Sequence, residues 1–371
     1  MAESQKNNFL KITIFWIVFL ALLFGLFEVL ASTILMYRYR SSLPDSAEVL
    51  GEVSQLSTIN LLDQATKGLG NPIGRMYHYQ RYKKETYPEP FFQADPKLGY
   101  SAAAGTYQHV FFMRQGADAD WLALNTKVTM NEDGSRWTGD AKQDTERNIY
   151  IFGDSVIFGT GVNDEQTFSY LLQQAQPEAE VKLYALGGYS LTQSYLRFNE
   201  IKDTISSDDI IVLGYADFYD SRNVMSPSRL RARRKWTTLM DKKSQDRSFI
   251  LPRVAKVENG EIEISYIQER CSLNNSYCEG NDPARHEMTE VSAALINNIA
   301  SNTDASVYVM HFNGSPNNPM LELTQGVTHI SVLPEDFDSF VKDDIEGFDP
   351  HPGPYWHYAI SRRLLEVLPD T

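Results

Sequence analysis

Ser155, Asp349 and His351 are the residue types that covalent catalysis needs, and each lies just beyond a short apolar run or just ahead of a helix-like one. A serine hydroxyl is a weak nucleophile at neutral pH and needs a base beside it. His351 can take its proton, and Asp349 can hold the imidazole in the productive tautomer. The acid and base stand in Phe348-Asp349-Pro350-His351-Pro352. Gly187-Gly188 follows another apolar run, and a glycine lets a reacting carbonyl come close to the backbone. Backbone N–H groups near Ser155 and Gly188 can bind the oxyanion that develops during acyl transfer. The chemistry implied is attack on an ester to give an acyl-enzyme. It needs no cofactor. No metal site is expected either, because the chain has two cysteines and no histidine at ligand spacing beside them. Gly-Asp-Ser alone arises by chance in roughly one in ten chains of this length. The candidate residues gain weight because they fall at successive strand ends in one order.

The elements that must position these residues follow from hydrophobic patterning. NIYIF (148–152) precedes a helix-like TFSYLLQQA (167–175), and VKLYAL (181–186) precedes LTQSYLRFNEI (191–201). DIIVL (209–213), then TEVSAALINNIA (289–300), SVYVMHF (306–312), THISV (328–332) and YWHYAISRRLLEVL (355–368) continue the alternation. Continuous apolar strands of about five residues mark a parallel sheet covered on both faces. Strands alternating with helices predict a three-layer α/β domain. Ligands of such sheets bind beyond the carboxyl ends of the strands, which is where Ser155, Gly188, Asp217, Asp349 and His351 fall. An insertion at about 222–283 interrupts the alternation, and Asn259-Gly260 within it predicts a hairpin turn. Upstream, residues 37–90 read as a polar connector. Residues 91–144 read as a small β-rich region, with QHVFFM, KVTM and the turn NEDG.

The blocks IYIFGDSVIFGTGV, ALGGYSLTQSYL and DPHPGPYWHYAI resemble the SGNH hydrolases, also called GDSL-like lipases and esterases. The resemblance covers roughly 145–371. It implies a flavodoxin-like α/β/α domain with a parallel sheet of order 2-1-3-4-5 and a Ser-His-Asp triad. It places the nucleophile on Ser155, oxyanion donors on Ser155 and Gly188, and the acid and base on Asp349 and His351. The Asp-x-His spacing here is tighter than the Asp-x-x-His usual in that family. The family's third block supplies an oxyanion asparagine, but this chain reads Gly214-Tyr215-Ala216-Asp217, with alanine in that place. Loss of one such donor costs about 10²–10³ in rate. Asn223 is the candidate replacement if its loop folds back. DPKLGY and VTMNEDGSRW resemble the segment that leads into the catalytic strand of many membrane-anchored members.

From Ile12 to Met36 almost every residue is apolar, and Glu28 is the one charge between Lys11 and Arg38. That length suits a retained transmembrane anchor better than a cleaved signal. Lysines precede it and arginines follow it, so charge leaves the orientation open. Cys271 and Cys278 are separated by six polar residues, which permits a disulfide and, with it, an extracytoplasmic space, periplasmic or luminal. Two free cysteines are the alternative. The formal charge of 34 − 48 = −14 disfavours nucleic-acid partners. Within this acidic chain, Arg229, Arg231, Arg233, Arg234 and Lys235 form a basic run. It is either a solvated loop or a grip for anionic lipid or glycan. Arg222 is likewise either exposed or a contact for an anionic substrate group. His357 is either a helix-face residue or a second base.

The function expected is that of a membrane-anchored serine esterase or O-acyltransferase. Its partners would be an acyl ester, with an O-acetylated envelope polysaccharide preferred, and the membrane through residues 12–36. The alternative is a non-catalytic component of a polysaccharide machine that keeps the fold and binds glycan or another protein.

Overall fold

The computed structural model describes Trp16, Phe19 and residues 82–114, 120–141, 145, 147–239, 249–258, 260–269, 276–312, 319–332 and 351–369. The expected anchor at 12–36, apart from helical Trp16 and Phe19, lies outside the described residues, as do Cys271 and Asp349. Among the described residues no helix is long and apolar enough to cross a membrane. The chain divides into Met1–Arg81 and Tyr82–Thr371, and the second unit carries the elements that surround Ser155.

That unit begins with β1 (Tyr82–Tyr87), β2 (Phe92–Asp95), β3 (Gly99–Ala102), β4 (Gly105–Arg114) and β5 (Asp120–Met130). Strands β1, β4 and β5 form an antiparallel sheet in that order, and β2 pairs with β3. The β-rich region therefore starts at Tyr82, inside the stretch read from sequence as connector. Its first strand is YKKETY, whose lysines and glutamate read as a linker. It is an edge strand held by backbone pairing, and charged side chains are common at edges.

After this come β6 (Arg147–Gly153), α1 (Ser155–Phe158), α2 (Phe168–Ala175), β7 (Ala179–Ala185), α3 (Leu191–Ile201), β8 (Ile210–Tyr215), α4 (Phe218–Asn223) and α5 (Pro227–Leu239). The hairpin β9 (Ile250–Glu258) and β10 (Glu261–Gln268) follows, with Gly260 at φ +81° in its turn. It is the hairpin predicted from Asn259-Gly260. Then come α6 (Arg285–Ser301), β11 (Ser306–His311), β12 (Thr328–Ser331) and α7 (Pro354–Val367).

Five of these strands form a parallel sheet of order β12-β11-β8-β6-β7. Numbered along the chain from β6, that order is 2-1-3-4-5. Every residue of β8 is buried, as are the last five of β6, as a sheet covered on both faces requires. Helices α2 and α7 pack against each other, and α3 and α4 each pack against α6. Right-handed crossovers place these two groups on opposite faces, because the chain reverses direction after β7.

The small β region and the α/β domain share one core, which runs from Leu98 and Tyr107 through Ile149 and Ile211 to Leu364. Strand β7 ends the parallel sheet, and the segment after β5 covers that open edge. Arg136 N donates to Leu183 O at 2.9 Å, and Thr138 Oγ1 donates to Val181 O at 2.6 Å. An edge covered in this way cannot template pairing with another chain.

Candidate active site

Ser155 stands where β6 turns sharply into α1. The turn is tight: a Cβ on Gly153 would lie 2.4 Å from the Ile157 side chain, so only glycine fits. Asp154 caps the helix, its Oδ1 accepting from Val156 N at 2.9 Å. Strand β6 lies between β7 and β8, and the chain leaves β6 outward to β7 but leaves β8 the opposite way, to β11. Ser155 therefore sits at the topological switch point, where open parallel sheets form a crevice. It is half-buried, with Gly187 and Gly188 half-buried beside it.

The turn after β7 is shaped from outside the α/β domain. Tyr100, on β3, donates from Oη to Gly187 O at 2.6 Å, and Tyr189 Oη donates back to Tyr100 O. Gly188 has φ +83°, a left-handed conformation that side chains disfavour. A Cβ there would lie 2.7 Å from Tyr100 Oη and 3.1 Å from Arg233 Nη1, and a Cβ on Gly187 would lie 3.9 Å from Ser155 Cβ. Glycine at 188 is thus fixed both by φ and by the groups pressed against it.

One guanidinium joins the two loops. Arg222 Nη1 donates to Asp154 Oδ2 at 2.9 Å and to Tyr189 O at 3.1 Å. Its carbon lies 4.2 Å from the centre of the Phe218 ring, a cation–π contact that holds the plane in place. The sequence left Arg222 open between an exposed residue and an anion contact. The structure half-buries it and ties one edge of it to the Asp154–Ser155 turn.

Asn223 does not face this crevice. It is 0% exposed. Its Oδ1 accepts from Thr192 N at 3.1 Å, and its Nδ2 donates to Ser292 Oγ at 2.8 Å. The amide ties α3, α4 and α6 together, so the oxyanion role expected of Asn223 gives way to a packing role. The reason is local: residues 218–223 are helical rather than a loop that folds back. Ala216 has only a methyl side chain and so offers no donor, and it is fully buried as well. The backbone near Ser155 and Gly188 remains as the oxyanion candidate.

His351 is half-buried and precedes α7, while Asp349 lies outside the described residues. His357 is 0% exposed; its Nδ1 accepts from Phe168 N at 3.3 Å, and its ring stacks on Phe168 with centroids 5.8 Å apart. It belongs to the α2–α7 contact, not to the crevice. Burial, and then the charge of Arg136 and the neighbouring His351 ring, push its pKa down to about 3. His311 is likewise pushed down to about 4 by burial and by His329, to which its Nε2 is hydrogen-bonded at 2.8 Å.

These depressed values predict acid sensitivity. A histidine whose folded pKa lies below its unfolded value of about 6.5 binds more protons when unfolded. Its contribution to stability is complete above pH 6.5 and is lost as pH falls toward the folded pKa. Each such group steepens the loss by about 1.4 kcal/mol per pH unit. Urea midpoints measured between pH 7 and 4 are expected to fall less steeply in His357→Gln than in the parent. Equal slopes would mean that His357 titrates normally.

The sequence did not resolve how the basic run folds into the site. Arg233 Nε donates to Glu269 Oε1 at 2.9 Å, with Nη2 bonded to the same oxygen. Arg229, one turn earlier on α5, is half-buried, and its Nε is sealed from solvent without a hydrogen-bond partner. Arg231 points elsewhere, donating to Cys278 O at 2.7 Å. Cys278 is disulfide-bonded, and Cys271 is the chain's other cysteine. The spacing of 229 and 233 by four residues was the signal available in sequence, since such positions share one helix face.

The sequence matches no family model and no curated protein. Among solved structures, it is similar to a lipolytic protein of the G-D-S-L family from Veillonella parvula, at 12% identity and TM-score 0.34, with 60% of this chain and 98% of that chain covered. A G-D-S-L-family lipolytic protein from Desulfitobacterium hafniense matches at 11% identity and TM-score 0.33, covering 60% and 99%. A catalytic mutant of an acetylxylan esterase from Geobacillus stearothermophilus matches at 12% identity and TM-score 0.32, covering 60% and 94%.

Proposed function

We propose that this protein is a serine ester hydrolase or O-acyltransferase of the SGNH type, with Ser155 as nucleophile, His351 as base and Asp349 as the acid that orients it. The observation that carries this reading is the placement of Ser155: half-buried at the switch point of the sheet, on the first turn of α1, beside the Gly187-Gly188 turn. Ser155 Oγ attacks the ester carbonyl as its proton passes to His351. Backbone N–H groups near Ser155 and Gly188 hold the oxyanion. The leaving alcohol takes the proton, and the acyl group then passes to water or to a sugar hydroxyl. Arg222 acts as a positioning residue, because its Nη1 fixes the Ser155 loop against the Gly188 loop.

The substrate proposed is an O-acyl group, O-acetyl foremost, on an envelope glycan. Residues 12–36 would hold the protein at the membrane with the catalytic domain on the extracytoplasmic side. The apolar length of that segment and the disulfide at Cys278 support this setting.

Ala216 favours a second reading. With that donor missing and Asn223 engaged in packing, the chain would bind glycan or a partner without turnover. A fluorophosphonate probe separates the two. Under the first reading it labels Ser155, located by peptide mass spectrometry, and the label is lost in His351→Ala. An unlabelled, folded protein would favour the binding component.

A further inference from the structure

Three guanidinium groups gather around the Asp154 and Gly188 turns, where two carboxylates answer them among the described residues. Arg222 is matched by Asp154 and Arg233 by Glu269. Arg229 has no such partner: among the described residues its guanidinium makes no hydrogen bond or ion pair. Its Nε is closed off from solvent, but neither of its Nη atoms is. Arg222 is arranged alike, with Nη1 bonded, Nε sealed and Nη2 open. Arg229 and Arg233 share a face of α5, where like charges repel. Burial and the charges of Arg222 and Arg233 push Arg229 down to about 9. A half-buried cation held among like charges, with its donors unmet, is an arrangement that a bound anion relieves.

We propose that Arg229, with the open edge of Arg222, binds an anionic oxygen group, carboxylate or phosphate, carried by the substrate next to its ester. A planar guanidinium fork matches either group with two parallel hydrogen bonds. Carboxylate would come from uronic-acid sugars, and phosphate from a polyol-phosphate polymer. The cluster is half-buried beside the two loops that frame Ser155, so it suits a group on the reacting molecule better than a flat lipid surface. The inference takes from the proposed function the position of the ester over Ser155. The binding site itself does not depend on turnover.

The test uses the full-length Ser155→Ala protein in detergent, with binding followed by isothermal titration calorimetry. Three probes are compared: an oligogalacturonate, a glycerol-phosphate oligomer and a neutral xylo-oligosaccharide. One of the two anions is expected to bind, more weakly at high salt, and which one binds identifies the source of the charge. Arg229→Gln is expected to weaken that binding roughly ten- to a hundredfold. Arg229→Lys keeps the charge without the fork and should fall between, which also covers the case in which the glutamine variant does not fold. Failure of both anions to bind, equal binding by Arg229→Gln, or equal binding of the neutral oligosaccharide would overturn the proposal. Because no turnover is read, an inert Ser155 would sink the esterase reading separately.

Discussion

Alanine at position 155 is expected to lower kcat/KM for an aryl acetate by about 10⁴ to 10⁶. Under the proposed mechanism Ser155→Ala removes the attacking oxygen but leaves the backbone donors near residues 155 and 188, so a small rate above the uncatalysed one should persist. His351→Ala should cost a similar factor, and the double variant little more than either alone, because nucleophile and base act as one unit. Ala216 sets the starting level. A site short of one side-chain donor runs about 10²–10³ below a complete one, so an activated aryl ester is the substrate to use. Steady-state rates of the parent and the three variants, each checked for folding, decide the matter. Losses that multiply in the double variant would mean that Ser155 and His351 do not act together. An unchanged rate in Ser155→Ala would remove the serine mechanism.

The frame around Ser155 was legible because buried parallel strands have a plain signature. The run DIIVL became β8, buried throughout, and LTQSYLRFNEI became α3 with the boundaries read from sequence. The switch point followed, since residues after such strands must line the crevice. The side chains that surround Ser155 were less legible, because long-range packing decides their direction. Asn223 reads as a loop amide and is in fact a tie between helices. Arg229 and Arg233 read as part of either a solvated loop or a grip for an anion, yet α5 half-buries both and pairs Arg233 with Glu269. Tyr100 lies 87 residues from Gly187 in sequence, and no local pattern announces that its hydroxyl holds that turn. The same holds for β1, whose charged residues conceal a strand made by backbone pairing.

Arg136 carries the largest stability effect expected of a single substitution. It sits in VTMNEDGSRW, upstream of the parallel sheet, yet its side chain is 0% exposed inside the turn that follows Ser155. Nε donates to Asp164 Oδ1 at 3.0 Å, Nη1 to Phe158 O at 2.6 Å and Gly159 O at 2.9 Å, and Nη2 to Val162 O at 2.9 Å. These carbonyls belong to the end of α1 and the turn beyond it, which have few other donors within reach. The guanidinium also lies 4.7 Å from the centre of the Phe158 ring. Arg136→Met keeps much of the volume but leaves the Asp164 carboxylate, also 0% exposed, without its cation. Removing one partner of a buried pair costs about 3–5 kcal/mol. For a unit of this size the melting temperature should fall by about 10 °C. Asp164→Asn alone should also destabilise, since it leaves Arg136 charged and buried. In the double variant the costs should add to less than their sum by about 1–3 kcal/mol, because each substitution removes the reason for the other's penalty. Urea midpoints at constant m-value measure all three. Fluorophosphonate labelling of Ser155 at a temperature where Arg136→Met is still folded gives the functional arm: slower labelling is expected, because the end of α1 is no longer tethered. Strictly additive costs would mean that Arg136 and Asp164 stabilise the fold independently. Unchanged labelling would confine Arg136 to stability.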